Sequence, residues 1–310
     1  MGLLIVGTVA LDTIETPFGV HKDIIGGSAT HAAMSASFYT GVKLVSVIGD
    51  DFPEEHIKFL KSRKIDTKGI KILSGKRTFK WSGYYEYDMN QAHTRETQLN
   101  VLLDFDPELP EEYKYSQTVF LGNIDPVLQL KVIEQLNNPQ LIAMDTMNFW
   151  IENKRKELLK TISMVDIVII NDAEIRQLMD TPNLVNAAKK VLDLGVKRVV
   201  VKKGEHGAVT FDPEMHFAAP SYPLDKVIDP TGAGDSFAGG LMGYLAKTLD
   251  YSEINFRKAV ILGSVMASYN VEDFSLNRLK KLSKKDIIKR YLEFQEISSF
   301  EKLDEVQLEE

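Results

Sequence analysis

The hydrophobic positions of this chain fall into short continuous runs that alternate with longer amphipathic stretches. The runs are rich in Val, Ile and Leu, which is typical of strands that are buried on both faces. They lie at residues 3–6, 44–48, 118–121, 141–144, 166–170 and 198–201. Between them, the helical spacing of apolar residues predicts helices at 30–39, 54–63, 129–136 and 184–194. This alternation predicts an α/β protein with a mainly parallel central sheet and helices on both of its faces.

One segment departs from the alternation. Between residues 76 and 105, aromatic and polar residues alternate, which predicts antiparallel strands that stand apart from the main sheet. Residues 14–25 offer further strands for the same small sheet. We interpret it as a β-lid or a dimerising flap, although a hairpin packed on the surface fits the pattern equally well. Its aromatic side chains suit a sugar, a base or a dimer interface, and they are Trp81, Tyr84, Tyr85 and Tyr87.

The last third of the chain is predicted to be helical, over 234–246, 253–269 and 284–294. The acidic end, 301–310, is expected to fray. Because the sequence contains no internal repeat and no low-complexity linker, we expect residues 1–310 to form a single domain that carries the small sheet.

Composition narrows the classes of function. The net charge of −7 gives no basic footprint, so nucleic acid is not an expected partner. The absence of cysteine excludes disulfides, thiolate metal sites and a cysteine nucleophile. The chain begins without a basic segment and contains no apolar run long enough to span a membrane, so we expect a cytoplasmic protein with no membrane partner.

The stretch with the clearest chemical content is Asp-Pro-Thr-Gly-Ala-Gly-Asp-Ser-Phe at 229–237, which leads into a helical pattern. A Gly-Ala-Gly turn at a helix start exposes backbone N–H groups that an anion can approach closely. Asp235 places a carboxylate beside them, and a base next to a phosphate cradle suits phosphoryl transfer to a hydroxyl. Taken alone, Gly-x-Gly is more often a plain tight turn.

Neither standard nucleotide motif accounts for this stretch. A dinucleotide-binding fingerprint needs a third glycine where Phe237 stands, and it belongs after the first strand. The only comparable lysine, in Gly75-Lys76-Arg77, lacks the glycine spacing and the Ser or Thr of a P-loop. A Rossmann dehydrogenase is therefore a remote alternative.

The run at 229–237 closely resembles the C-terminal signature of the ribokinase-like (PfkB) family of sugar and nucleoside kinases. Four more segments resemble motifs of that family and follow its order along the chain: Gly-Thr-Val-Ala-Leu-Asp at 7–12, Gly-Gly-Ser-Ala-Thr-His at 26–31, Asn-Asp-Ala-Glu at 171–174 and Lys-Gly-Glu-His-Gly at 203–207. The resemblance implies the three-layer ribokinase-like fold with a small β-lid.

On the acceptor side, the resemblance implies that Asp235 is the general base. The amides of an anion hole are then those of Gly232, Ala233 and Gly234. Substrate would be bound by Asp12, at the expected end of the first strand, together with Gly26, Gly27 and His31. His31 stands where the family usually has asparagine, and a packed surface histidine is the alternative. Asn123 follows an apolar strand and is added as an edge of the substrate pocket.

On the donor side, the resemblance implies that ATP is bound by Asn171, Lys202, Gly204 and Gly207, and that Glu174 positions Mg²⁺ through water. Asp229 and Thr231 resemble positions that serve a monovalent cation such as K⁺ in some members. Simpler interpretations stay open at this stage. They are a helix cap for Asn171 and Glu174, a hairpin turn for the two glycines, and a plain turn for Asp229 and Thr231.

The sequence therefore predicts an ATP-dependent phosphotransferase that moves the γ-phosphate, with Mg²⁺, to a hydroxyl of a sugar or a related small molecule. A nucleoside kinase of the adenosine kinase type is the alternative within enzymes. A catalytically silent sugar- or nucleotide-binding regulator on the same fold is the alternative of another class. The expected partners are ATP, a small-molecule alcohol and a second copy of the chain docked through the lid.

Overall fold

The computed structural model describes residues 2–301, so the segment 302–310 of the acidic end lies outside the described residues. In chain order the strands are β1 (Leu3–Val6), β2 (Ala10–Thr16), β3 (Gly19–Gly26), β4 (Val42–Gly49), β5 (Ile65–Leu73), β6 (Lys80–Tyr85), β7 (Ala92–Gln98), β8 (Thr118–Leu121), β9 (Leu141–Asp145), β10 (Ile167–Asn171), β11 (Arg198–Lys202), β12 (Ala208–Phe211) and β13 (His216–Ala219).

The helices are α1 (Ser28–Ala36), α2 (Glu54–Ser62), α3 (Pro126–Ile133), α4 (Asn148–Asn153), α5 (Arg155–Ile162), α6 (Asp172–Met179), α7 (Leu184–Leu192), α8 (Ala233–Thr248), α9 (Glu253–Asn270), α10 (Asn277–Lys280) and α11 (Lys284–Ser298). No helix in residues 2–301 is both long enough and apolar enough to cross a membrane.

The main sheet has nine strands in the order β13-β12-β11-β10-β9-β8-β1-β4-β5. Pairing is parallel from β11 to β5, while β12 and β13 add an antiparallel edge. The central strands are buried on both faces, and their successive side chains enter two different hydrophobic clusters. One cluster contains side chains of α1, α8 and α9, and the other contains side chains of α5, α6 and α7. The result is a three-layer α/β/α architecture.

A second sheet stands apart, with four strands in the order β3-β2-β6-β7. Strands β2 and β6 pair in parallel, and the two edge strands pair antiparallel to them. These strands come from the two segments in which the sequence predicted a separate small sheet. Its inner face packs around Ile14, Tyr85 and Phe274, which form a hydrophobic cluster of their own. Phe274 lies after α9, so this cluster joins the small sheet to the three-layer part of the molecule.

Several elements differ from the sequence prediction. The first strand ends at Val6, and Asp12 lies inside β2 of the small sheet, so the expectation that Asp12 ends the first strand was wrong. Residues 7–9 are small or apolar, so their sequence predicted that the first strand continues. In the structure the chain turns at these residues and enters the second sheet. Strand β5 was not predicted, because it is an edge strand with many exposed positions and no apolar run.

Candidate active site

Three charged side chains lie together where the neighbouring parallel strands β9, β10 and β11 end, and they are Asp145, Glu174 and Lys202. Asp145 is the last residue of β9 and Lys202 the last residue of β11, and their Oδ2 and Nζ atoms lie 2.8 Å apart. Burial alone would lower the pKa of Lys202, but Asp145 and Glu174 outweigh it and the pKa is raised, so the ammonium stays charged. The carboxyl ends of parallel strands are where this architecture binds ligands.

The loop before α8 approaches the same point. A methyl group built on Gly234 would lie 3.0 Å from Lys202 Nζ, so the ammonium is adjacent to the start of the helix. Gly232 has φ +74° and ψ 5°, and the Ala233 N–H donates to the Pro230 carbonyl at 3.1 Å. This is a type II turn, which requires positive φ at its third residue and therefore favours glycine. The expectation that the Ala233 amide faces an anion is not met, because that amide closes the turn.

The amides of Gly232 and Gly234 have no protein acceptor among the described residues. Both lie in the turn and first helical residues, where N–H groups of a helix are left without an intrahelical partner. Together with the nearby Lys202 ammonium, these two amides form a group of hydrogen-bond donors at the start of α8. An anionic phosphoryl group is the kind of ligand that such a concentration favours.

Asp235 follows directly, in the first turn of α8. Burial, supported by the nearby Asp145 carboxylate, raises its pKa to about 7, while Lys202 opposes the shift. A carboxylate with a pKa near neutrality is well matched to accept a proton from a hydroxyl at physiological pH. The structure thus places a suitable base next to the donors of the turn.

Asn171 and Glu174 cap α6 reciprocally. The Asn171 Oδ1 accepts the Glu174 N–H at 2.7 Å, and the Glu174 Oε2 accepts the Asn171 N–H at 2.9 Å. The structure therefore agrees with the interpretation of this pair as a helix cap. Burial nevertheless raises the pKa of Glu174 to about 7, and Lys202 and Asp145 are its charged neighbours. The cap holds the Glu174 carboxyl beside the strand ends.

Asp12 faces the site from the small sheet. It is only 4% exposed, and its Oδ1 is buried with no protein partner in the described part of the chain. Burial, with smaller contributions from Asp229 and Asp235, raises its pKa to about 7. Any Cβ on Gly26 would lie 1.9 Å from the Asp12 Oδ2, so this close approach requires glycine. Gly27, with φ +94°, follows Gly26 and is the N-cap residue of α1.

His31 is buried in α1, with 1% of its surface exposed, so the alternative of a packed surface histidine was wrong. Its Nδ1 lies 3.0 Å from the Asn270 Oδ1, and its ring lies directly beneath Gly232. Burial lowers its pKa to about 4, which keeps the imidazole neutral.

Asp229 and Thr231 brace the loop. The Asp229 carboxylate accepts N–H groups from Thr231 at 2.9 Å and from Ser275 at 3.1 Å. It is fully buried and has no ion-pair partner within residues 2–301, and burial raises its pKa. The Thr231 hydroxyl donates to the Tyr85 hydroxyl at 3.2 Å, which connects this loop to the small sheet.

The remaining predicted residues lie at the margin of this group. Gly204 and Gly207 lie in the turn between β11 and β12, as the hairpin interpretation expected. This turn contacts the β6–β7 connection, since the Asn90 Nδ2 donates to the Glu205 Oε1 at 3.2 Å. The Asn123 side-chain amide donates to the Met147 Sδ at 3.0 Å and accepts from the Trp150 indole N–H at 2.9 Å, so both of its polar atoms have protein partners.

Two buried groups of the site had little or no signal in the sequence. Asp145 carries one half of the ion pair with Lys202, and its only signal was its place after an apolar strand. Asn270 ends α9 and contacts both His31 and the loop before α8, and it had no signal at all. The side chain of Lys202, which was expected to bind ATP, is largely buried, with 18% of its surface exposed.

The carboxylates present suit a divalent metal that arrives with a nucleotide. Within residues 2–301 no group of three or more His, Cys, Asp and Glu side chains could hold a metal ion. Mg²⁺ keeps several waters and is commonly held by one or two carboxylates together with substrate phosphates. Glu174 and Asp145, at the strand ends, would supply that contribution.

Comparison with known proteins identifies the family. The family model for pfkB family carbohydrate kinases matches residues 9–280. The chain belongs to the PfkB family of carbohydrate kinases. It is therefore a kinase, and it transfers a phosphoryl group from ATP to a hydroxyl of a sugar or nucleoside. Kinases of the PfkB family use ATP together with a divalent metal ion.

Individual PfkB relatives give more detail. A cytidine kinase of Thermococcus kodakarensis is 32% identical over 252 residues, which cover 79% of this chain and 88% of that protein. A nucleoside kinase of Methanocaldococcus jannaschii is 25% identical over 256 residues, covering 80% of this chain and 79% of the relative.

Solved structures confirm the ribokinase-like fold. The crystal structure of the Methanocaldococcus jannaschii nucleoside kinase matches with a TM-score of 0.76 at 21% identity, over 94% of this chain and 99% of that one. A ribokinase from Thermotoga maritima matches with a TM-score of 0.74 at 20% identity and the same coverage. The three-layer fold that the PfkB resemblance implied is thus the observed one.

Proposed function

We propose that this kinase phosphorylates a primary hydroxyl of a nucleoside, with a pyrimidine nucleoside such as cytidine as the first candidate, and that Asp235 is its general base. The observation that carries the chemistry is the juxtaposition of Asp235, with a pKa near 7, and the free amides and Lys202 ammonium at the start of α8. A relative that is 32% identical to this chain over 252 residues is a cytidine kinase, which supports the choice of acceptor.

On the acceptor side, Asp12 is proposed to hold the sugar. Its buried Oδ1 lacks a partner, and a ribose hydroxyl would satisfy that oxygen while leaving the acceptor oriented towards Asp235. Gly26 and Gly27 allow the backbone to lie against the ligand. As the acceptor hydroxyl attacks, its proton passes to the Asp235 carboxylate, the new P–O bond forms, and the bond between the γ-phosphorus and the bridging oxygen breaks, leaving ADP.

On the donor side, the Gly232 and Gly234 amides and Lys202 are proposed to stabilise charge on the transferred phosphoryl group. Mg²⁺ bound to the ATP phosphates would supply further charge neutralisation, with Glu174 and Asp145 beside it. Asn171, Gly204 and Gly207 are proposed to border the nucleotide, since they lie at the ends of β10 and β11.

A monovalent cation such as K⁺ is proposed to act near Asp229. This carboxylate is buried without an ion-pair partner in the described residues, and a cation held with Thr231 would neutralise it. Replacing KCl by choline chloride at equal ionic strength should then lower kcat, and an unchanged kcat would remove the cation from the proposal.

The small sheet is proposed to act as a lid on a single kinase domain. Its contacts support this. Strand β6 contacts the loop before α8 (residues 229–232, the anion loop) through Tyr85, and the β6–β7 connection contacts the turn between β11 and β12 through Asn90. Closure of such a lid excludes water from the reacting phosphoryl group. The mostly exposed edge strand β3 also supports a homodimer that docks through this sheet, which the mass of the protein in solution would test.

The acceptor class is tested by measuring ADP formation with MgATP across cytidine, uridine, adenosine, inosine, ribose and fructose. We expect the highest kcat/KM with a pyrimidine nucleoside. Turnover confined to free sugars would overturn the nucleoside proposal while leaving the kinase assignment intact. Binding of these ligands without any turnover would instead favour the silent regulator.

A further inference from the structure

The turn that carries the Gly232 amide can exist in two orientations. In a β-turn, types I and II differ by rotation of the central peptide, which here joins Thr231 to Gly232. Glycine accepts the backbone conformation of either type, so Gly232 alone does not select one. Yet only one orientation points the Gly232 N–H towards an incoming phosphoryl group, and the other would present the Thr231 carbonyl oxygen to it.

Asn270 fixes this peptide from below. Its side chain is fully buried, and its Nδ2 donates to the Thr231 carbonyl at 2.8 Å. Its Oδ1 accepts from the Ser236 hydroxyl at 3.0 Å and lies 3.0 Å from the His31 Nδ1. Both polar atoms of the Asn270 side chain thus have hydrogen-bond partners, which fix the orientation of its amide.

The orientation of the Asn270 amide follows from its partners. The Thr231 carbonyl can only accept, so the atom facing it must be the Nδ2, and the Oδ1 must face Ser236 and His31. Since the Oδ1 is an acceptor, the His31 Nδ1 carries the hydrogen. Burial lowers the His31 pKa to about 4, so this neutral tautomer persists throughout the working pH range.

Because a trans peptide is planar, the contact between Asn270 and the Thr231 carbonyl also determines the direction of the Gly232 N–H. No peptide bond among the described residues is cis, so the Thr231 carbonyl and the Gly232 N–H point in opposite directions within their peptide plane. With the carbonyl turned inward to Asn270, the N–H is turned outward. The His31 ring packs against Gly232 on the inner side of the turn, since a methyl group built on Gly232 would lie 2.3 Å from the His31 Nδ1.

We propose that Asn270 and His31 are positioning residues that lock the Thr231–Gly232 peptide in the orientation that stabilises the transferred phosphoryl group. The inference rests on the proposed role of the anion loop. Asn270 acts on the reaction through the backbone and not by touching substrate, so its loss should lower the rate of transfer while acceptor binding at Asp12 is kept.

The main test is Asn270→Leu, which keeps the size of the side chain and removes all three hydrogen bonds. Loss of one fixed donor of this kind lowers kcat by about 100- to 1000-fold, and a donor that becomes mobile should cost about 10- to 100-fold. The KM for the acceptor should stay within about twofold under the same reasoning. His31→Phe keeps the ring under Gly232 and the Asn270–Thr231 bond, so its kcat should fall less.

A binding measurement separates positioning from general damage. ADP with aluminium fluoride mimics the phosphoryl group in transfer, and its affinity should fall in Asn270→Leu while the affinity for ADP alone is unchanged. The stability control is Thr161→Val, which removes an equally buried bond, from the Thr161 hydroxyl to the Pro126 carbonyl at 2.9 Å, on the far face of the sheet. It should lower Tm without changing kcat or either affinity.

If Asn270→Leu does not fold, Asn270→Ala provides the same test, because its methyl group cannot donate to the Thr231 carbonyl. Parental kcat and parental affinity for the aluminium fluoride complex in the folded variant would overturn the inference. Asp235→Asn is assayed alongside. If Asp235→Asn keeps parental turnover, the proposed function fails; if only the Asn270 variants keep it, the peptide lock alone fails.

Discussion

At the scale of single residues, the site is organised by the cost of burying carboxylates. Burial raises the pKa values of Asp12, Asp235 and Glu174 to about 7 each. The buried cation beside these carboxyls is Lys202. It interacts electrostatically with both Asp145 and Glu174, so it does not hold Asp235 fully ionised. Asp235 therefore titrates where a general base is most effective, and its basicity comes from its surroundings.

The first prediction concerns pH. Because the base must be deprotonated and its pKa is raised to about 7, kcat/KM should rise with pH through the neutral range and then level off. Since Asp12 and Glu174 titrate in the same range, the measured pKa belongs to the group of carboxylates together. Steady-state rates between pH 5.5 and 8.5 would check this prediction, and a rate that falls with rising pH would contradict it.

The second prediction concerns acceptor binding. Asp12→Ala removes the oxygen that is proposed to accept a sugar hydroxyl, and hydrogen bonds to charged groups contribute about 1.5–3 kcal/mol. We expect the acceptor KM to rise about 10- to 100-fold, with the KM for ATP unchanged. Initial rates with each substrate varied in turn would measure this. Equal increases in both KM values would indicate a structural role for Asp12.

At the scale of elements, the sequence predicts what depends on local pattern. The runs at Leu3–Val6 and Thr118–Leu121 coincide with β1 and β8, because strands buried on both faces need apolar residues throughout. The exposed edge strand β5 lacks that signal. The turn at 229–232 and the helix after it were predictable from glycine and spacing. Asn270 was not, because its role depends on α9 ending beneath a loop distant in sequence.

The third prediction addresses the contact between the small sheet and the anion loop. Tyr85→Phe removes the acceptor of the Thr231 hydroxyl while keeping the packed ring, and one neutral hydrogen bond is worth about 0.5–1.5 kcal/mol. We expect kcat/KM to fall about 2- to 10-fold.

Tyr87→Phe is the matched control for this variant, because Tyr87 follows the same strand and is 94% exposed. It should behave as the parent in the same assay. If the Tyr85 and Tyr87 variants are indistinguishable, the contact between Tyr85 and Thr231 does not contribute to turnover.

At the scale of the whole molecule, the site of this kinase concentrates the negative charge of several carboxyl groups. Asp12 and Asp229 face the site from one side, and Asp145 and Glu174 from the other. A carboxyl whose pKa is raised on folding destabilises the folded state once the pH exceeds its unfolded value near 3.9, and the cost reaches its maximum above the folded pKa. The functional site is thus a source of instability in the free protein.

The fourth prediction follows from the sign of this linkage. Asp12→Asn should raise the Tm of the free protein more at pH 8 than at pH 5, because the cost of the raised pKa is only partly reached at pH 5 and is complete above the folded value of about 7. A gain of 1 kcal/mol corresponds to about 2–4 °C in a protein of this class. Thermal unfolding at both pH values would measure it. A Tm lowered equally at both would contradict the account.

The most direct test of the central claim is kcat for Asp235→Asn with MgATP and the best acceptor of the panel. Asn keeps the size of the side chain but cannot accept the proton, and general-base catalysis contributes about 100- to 10,000-fold. Asp286→Asn is the matched control, since Asp286 lies in the first turn of α11 as Asp235 lies in that of α8. We predict a kcat lowered by at least about 100-fold in Asp235→Asn, with substrate KM values preserved and the control unaffected. A folded Asp235→Asn variant that turns over at the parental rate would contradict the account.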